Sequence, residues 1–228
     1  MPSAGAEEDE LATPRAIDGT VRRAFPHPVA AAWHRASLTT TDAERIKHLL
    51  ACQEVLLRTL ICWLLPDYLR GSPSPAVEEL LPRLQRPSLG HYVGLVRELC
   101  RALRDREQAF LPEACDWYFT PKGKPSKAAG LLDALVALRN QEAHGHALGP
   151  KETGARAAQL LSDMKALLGG LSWMTAYRPL RVLTSRPGRR GGFSGKLQFL
   201  VGLEPQSEPV SARWQAGLFP EAVFLANP

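Results

Sequence analysis

Apolar residues recur every three or four positions through most of the chain's first three quarters, the spacing of helices that bury one face. Thr41-Asp-Ala-Glu44 has the form of a capping box, in which each side chain satisfies the other residue's free backbone N–H. A long helix is predicted from there to about Leu69. Apolar residues from Ile46 to Tyr68 cover more than half of its circumference in the second part. Such a helix is predicted to be central, with neighbours on several sides. Pro66 is predicted to kink it or end it locally. Shorter helices are predicted over residues 28–38 and 76–84. Ser88 can cap the next, whose stripe is Leu89, Tyr92, Val93, Val96, Leu99 and Leu103, with Arg97, Glu98, Arg101 and Arg104 opposite. Ser126 can cap a helix carrying Leu131, Leu132, Leu135 and Leu138, and a last helix is predicted over about 151–174. From Tyr177 the period falls to two. RPLRVLTS, GKLQFLVGL and EAVFLA read as strands of a small antiparallel sheet.

The predicted fold is therefore mainly α: an up-and-down helical bundle with a small C-terminal antiparallel β appendage. The expected division is a disordered leader over 1–20, a bundle over 21–176 and the β-rich appendage over 177–228. The leader is assigned on its small, acidic, unpatterned residues.

Charge adds a bias towards acidic partners. The net charge is +5, and from Arg178 onward seven basic residues stand against three acidic ones. That favours RNA, DNA or an anionic surface without choosing among them. Four cysteines, Cys52, Cys62, Cys100 and Cys115, form no CxxC pair and read as buried free thiols. The acidic N-terminus is unlike a secretory signal, and the most apolar run, Val55–Leu65, is interrupted by Arg58. The expectation is a cytoplasmic protein with no membrane association.

Two places carry candidate chemistry. In the connector Phe110–Lys127, Trp117, Tyr118 and Phe119 precede Lys122, Lys124 and Lys127. Aromatics beside lysines can stack bases and hold phosphates of a single strand. The same aromatics can instead plug the end of the bundle and leave the lysines solvated.

The second place is the end of the Leu131 helix, Arg139-Asn140-Gln-Glu142-Ala-His144-Gly-His146. Asn140 and His144 are i,i+4 neighbours on one face. Arg139 lies roughly 140° from His144 around an ideal helix. The two converge only where the helix end unwinds or where a second copy completes the site across a two-fold axis. The residue types suit RNA cleavage. RNA carries its own nucleophile, the 2′-OH, and imidazole can move its proton near neutrality. Arg offers a planar fork to phosphate oxygens, and Asn140 can orient either group. No metal or cofactor is needed. On residue types alone these positions also describe an ordinary helix end: an Arg139–Glu142 surface pair, a His favoured at the C-terminus, and Gly145 as the stop.

Arg139-Asn140-x3-His144 resembles the R-[polar]-x3-H motif of HEPN domains, and the order of helices over about 41–175 agrees with it. The resemblance implies a four-to-five-helix bundle that often dimerises through the motif helix. It implies a metal-independent endoribonuclease working in defence, toxin–antitoxin or stress response, with Arg139 and His144 catalytic and Asn140 supporting them. Glu142 and His146 are not motif positions and are candidate assistants. RNA and a second copy of the chain are the expected partners, and the β appendage is a candidate docking surface for another protein. Other HEPN domains are non-catalytic modules that sense a nucleotide or RNA or dock a protein, so the resemblance carries that alternative with it.

Overall fold

The computed structural model describes residues 14–104, 106, 109–143, 149–187, 192–205, 207–208 and 222–226. It is mainly helical with a small antiparallel sheet. The helices are α1 (Pro14–Ala24), α2 (His27–Ser37), α3 (Asp42–Leu69), α4 (Pro75–Leu80), α5 (Leu89–Arg104), α6 (Pro112–Tyr118), α7 (Lys127–Ala143) and α8 (Pro150–Gly170). The strands are β1 (Arg178–Pro187), β2 (Phe193–Phe199), β3 (Ser207–Glu208) and β4 (Val223–Ala226). The chain divides into two compact units. One is residues 35–172; the other joins the N-terminal stretch through His34 to the stretch from Trp173 onward.

The 35–172 unit is built on α3. Thr41 caps its start, but the predicted box forms only in part: Thr41 Oγ1 accepts the Glu44 N–H at 3.4 Å, while the Glu44 carboxylate accepts from the Thr41 hydroxyl at 3.0 Å rather than from its backbone N–H. Leu49, Leu56, Leu57, Leu60 and Leu64 are wholly buried, and α5 and α8 pack against this helix. Burial on several faces is why its apolar positions fill more than one stripe. By length and composition α3 is also apolar enough to cross a membrane. Pro66 lies inside the helix, which ends three residues later at Leu69. Its end is held from outside: Arg106 donates to the carbonyls of Asp67 (2.9 Å) and Tyr68 (3.1 Å). These are carbonyls that a helix C-terminus leaves without intrahelical donors. Asp67 Oδ2 in turn accepts the Phe110 N–H at 2.7 Å, which fixes the run into α6. The predicted connector over 110–127 is therefore helical in part. Leu111, Ala114, Cys115 and Tyr118 are buried at i, i+3, i+4, i+7, and Pro112 starts the helix.

The second unit joins α1 and the first part of α2 to a sheet of order β3-β2-β1-β4, all neighbours antiparallel. Residues 14–20 are helical, so the predicted leader over 1–20 is too long. Ile17, Val21 and Phe25 form the buried face. The expected division placed 21–34 with the bundle, whereas these residues group with the strands. The join is backbone to backbone. His27 donates to the Leu200 carbonyl at 2.8 Å, Gly202 to that of Phe25 at 2.8 Å and Leu203 to that of Arg22 at 3.0 Å. Gly202 has φ +69°, and a Cβ there would lie 2.8 Å from the Arg23 carbonyl oxygen. Only glycine combines that backbone with so close an approach.

All four cysteines are free. Cys52, Cys100 and Cys115 are buried as predicted, but Cys62 is exposed. It lies on the outward side of α3, where the expectation of a buried thiol is corrected. Burial pushes the Cys52 thiol up to about 12, which keeps it protonated and unreactive at neutral pH.

Candidate functional site

The motif helix α7 begins where Ser126 accepts the Ala129 N–H at 3.4 Å and donates to the Trp117 carbonyl at 2.6 Å. Ala129, Leu132 and Leu135 are buried, with α5, α6 and α8 as neighbours. Arg139 follows Leu135 by one turn and Leu132 by two, on the same side of the helix. Yet Arg139 is exposed, as are Asn140 and Gln141. The packing that covers the leucines stops before Arg139, so its guanidinium reaches solvent from what would otherwise be a core azimuth.

Of the sequence-predicted site, Arg139 and Asn140 thus stand together on the exposed last turns of α7. Glu142 continues the helix by its backbone. His144 and His146 lie outside the described residues. After a six-residue connection α8 begins at Pro150, with the Gly149 N–H donating to Glu152 Oε2 at 3.0 Å. The chain then returns beside α7. Arg156 Nη1 donates to Gln141 Oε1, inside the motif, at 3.1 Å. Arg156 is thus a second guanidinium at the motif, one the sequence reading missed. The signal was present: a short connection between helices implies antiparallel neighbours. That brings the first turns of the following helix beside the last turns of this one.

The aromatic–lysine segment separates into two layers. Trp117, Tyr118 and Phe119 are all buried, Tyr118 to 1% exposure. The Trp117 and Tyr118 rings meet edge-on at 6.2 Å, and the Tyr118 and Phe119 centroids lie 5.0 Å apart. Burial pushes the Tyr118 phenol up to about 12. These rings fill the core and offer no free face to a base. Lys122, Lys124 and Lys127 are exposed. The arrangement is that of aromatics closing the bundle beneath a solvated basic surface.

Among the described residues no group of three or more His, Cys, Asp or Glu side chains is placed to hold a metal ion. Comparisons of this chain with protein-family models, with curated proteins and with solved structures gave no match.

Proposed function

We propose that the protein is a metal-independent endoribonuclease of HEPN type, acting in the cytoplasm in a defence, toxin or stress response. The observation that carries this reading is the exposure of Arg139 and Asn140 together at the end of α7, four residues in sequence before His144 completes the R-[polar]-x3-H pattern. A buried arginine tied to a carboxylate there would have argued for a structural role.

In the proposed reaction His144 takes the proton of a 2′-OH, and the 2′ oxygen forms a bond to the adjacent phosphorus. The bond from phosphorus to the 5′ oxygen breaks, leaving a 2′,3′-cyclic phosphate and a 5′-OH. The departing oxygen takes a proton, supplied in a dimer by the imidazolium of the same residue in a second copy. Arg139 stabilises the charge on the non-bridging oxygens, and Asn140 orients the imidazole. The exposed face of α7 suits a twin. Gly130, Ala134 and Ala137 are exposed and lie opposite Leu132 and Leu135, so another helix can approach closely. In sequence His144 follows Ala137 by seven and Gln141 by three, the spacing that continues this face.

The test is incubation of the purified chain with labelled RNA in EDTA, beside His144→Ala. Cleavage that persists in EDTA and disappears in the variant is expected. Equal background cleavage by both proteins sinks the proposal. RNA bound but left intact by both identifies the non-catalytic sensing module instead.

A further inference from the structure

The turn that carries the lysines is held by several backbone hydrogen bonds. Thr120 donates its N–H to the Lys124 carbonyl at 2.8 Å, and Gly123 donates to the Thr120 carbonyl at 2.8 Å. The Lys124 N–H is held by Thr120 Oγ1 at 3.2 Å, and Ser126 donates back to the Tyr118 carbonyl at 2.9 Å. Phe119 and Pro125 bridge across its base. Gly123 takes φ +76°, which an L side chain rarely adopts.

A cation from another element is locked onto this turn. Arg104, in the last turn of α5, donates through Nη2 to the Pro121 carbonyl at 2.9 Å. Its Nη1 would lie 2.7 Å from a Cβ added at Gly123. One turn earlier, Arg101 stands over the Phe119 ring at 5.7 Å. Arg101 is balanced by Glu98. Among the described residues, Arg104, Lys122, Lys124 and Lys127 form no ion pair. Four positive charges therefore lie on or beside this turn: the Arg104 guanidinium, anchored to the Pro121 carbonyl, and the exposed Lys122, Lys124 and Lys127. Like charges grouped on one surface attract anions.

We infer that Arg104 and the Pro121–Lys124 turn form a phosphate clamp for the backbone of single-stranded RNA, at the opposite end of α7 from the motif. This rests on the ribonuclease reading for the choice of polyanion. A lipid surface fits less well, because the neighbouring aromatics Trp117, Tyr118 and Phe119 are buried and provide no apolar wedge. The clamp reads charge and spacing rather than bases, since no free ring is available for stacking. Lys127 and Arg139 are twelve residues apart along α7, about 18 Å at the helical rise. A stacked strand at roughly 3.4 Å per phosphate covers that in about five nucleotides. Shorter RNAs reach the motif or the clamp but not both.

The test uses the full chain carrying His144→Ala, so that RNA survives, and reads anisotropy of a labelled twelve-nucleotide oligouridine across salt concentrations. Adding Lys122→Ala and Lys124→Ala makes the slope of log affinity against log salt shallower by about 1.4, at roughly 0.7 per single-strand phosphate. Arg35→Ala with Lys47→Ala removes the same charge from exposed positions outside both the turn and the motif and leaves the slope within error. Gly123→Ala removes no charge, yet weakens binding because it displaces the turn and Arg104. An unchanged slope in the Lys122/Lys124 variant overturns the inference, as does turn-dependent binding to phosphatidylserine vesicles with none to RNA. The ribonuclease reading fails separately. If the clamp variants lose RNA binding while the unmodified chain never cleaves RNA in a His144-dependent way, the clamp stands and the nuclease does not. If cleavage depends on His144 but is indifferent to the turn, the reverse holds.

Discussion

If the protein cleaves RNA as proposed, replacing Arg139 by alanine is expected to lower cleavage by about 10²–10³-fold, the effect of removing a donor aimed at charge that develops in the transition state. The fold is unaffected, because Arg139 is exposed and exposed substitutions usually change stability by less than about 0.5 kcal/mol. Arg139→Lys recovers only part of the loss, since an ammonium presents a point charge where the guanidinium presents two parallel donors. Single-turnover cleavage and urea unfolding, measured on the same preparations, separate the two effects. A variant that cleaves normally removes Arg139 from the chemistry. One that unfolds early makes it a structural residue.

Two substitutions on α3 change stability in opposite directions. Leu60→Ala loses roughly 2–5 kcal/mol, because a wholly buried leucine gives up its transfer energy and leaves a cavity that the packed neighbours close only in part. Gln53 is equally inaccessible, but among the described residues neither its Oε1 nor its Nε2 has a hydrogen-bond partner. Gln53→Leu, similar in size, removes two desolvated polar atoms and gains about 1–3 kcal/mol. Both shifts are read from urea midpoints with unchanged slopes. A destabilised Gln53→Leu protein would mean that the amide is held by a partner, and would withdraw the assignment of this glutamine as a defect in the central helix.

What the sequence disclosed depended on how local the cause was. The start of α3 was legible because Thr41 and Glu44 satisfy each other within four residues, and Ser126 announced α7 in the same way. The buried stripe of α5 was legible because its period is intrinsic to the helix. Two helices were passed over although they carried the same signal. Ile17, Val21 and Phe25 are spaced i, i+4, i+8, a stripe that straddles the predicted leader boundary at residue 20. In α6 the helical spacing of Leu111, Ala114 and Tyr118 is overlaid by three consecutive aromatics. The grouping of α1 with the strands had no local signature. It rests on backbone bonds between residues about 175 apart, such as Gly202 to Phe25. The two-residue β3 is likewise a product of pairing with β2 rather than of its own composition.

The candidate site divides along the same line. Exposure of Arg139 could not be read from periodicity, which puts it on the leucine side of α7. It follows from tertiary packing, which covers Leu132 and Leu135 and leaves Arg139 exposed. Burial of Trp117 and Tyr118 decided between two readings of one segment, because a ring can stack a base only if a face is free. The link from Arg104 to the lysine turn joins residues seventeen apart, and only the packing of α5 against α6 and α7 brings them together.

The measurement closest to the chemistry is the identity of the new RNA ends. Products formed in EDTA by the unmodified chain are expected to carry a 2′,3′-cyclic phosphate and a 5′-OH, and RNA bearing 2′-O-methyl groups throughout is expected to survive. Products ending in 5′-phosphate and 3′-OH, or equal cutting of the 2′-O-methyl strand, would show that the 2′-OH is not the nucleophile and would contradict the roles given to His144 and Arg139.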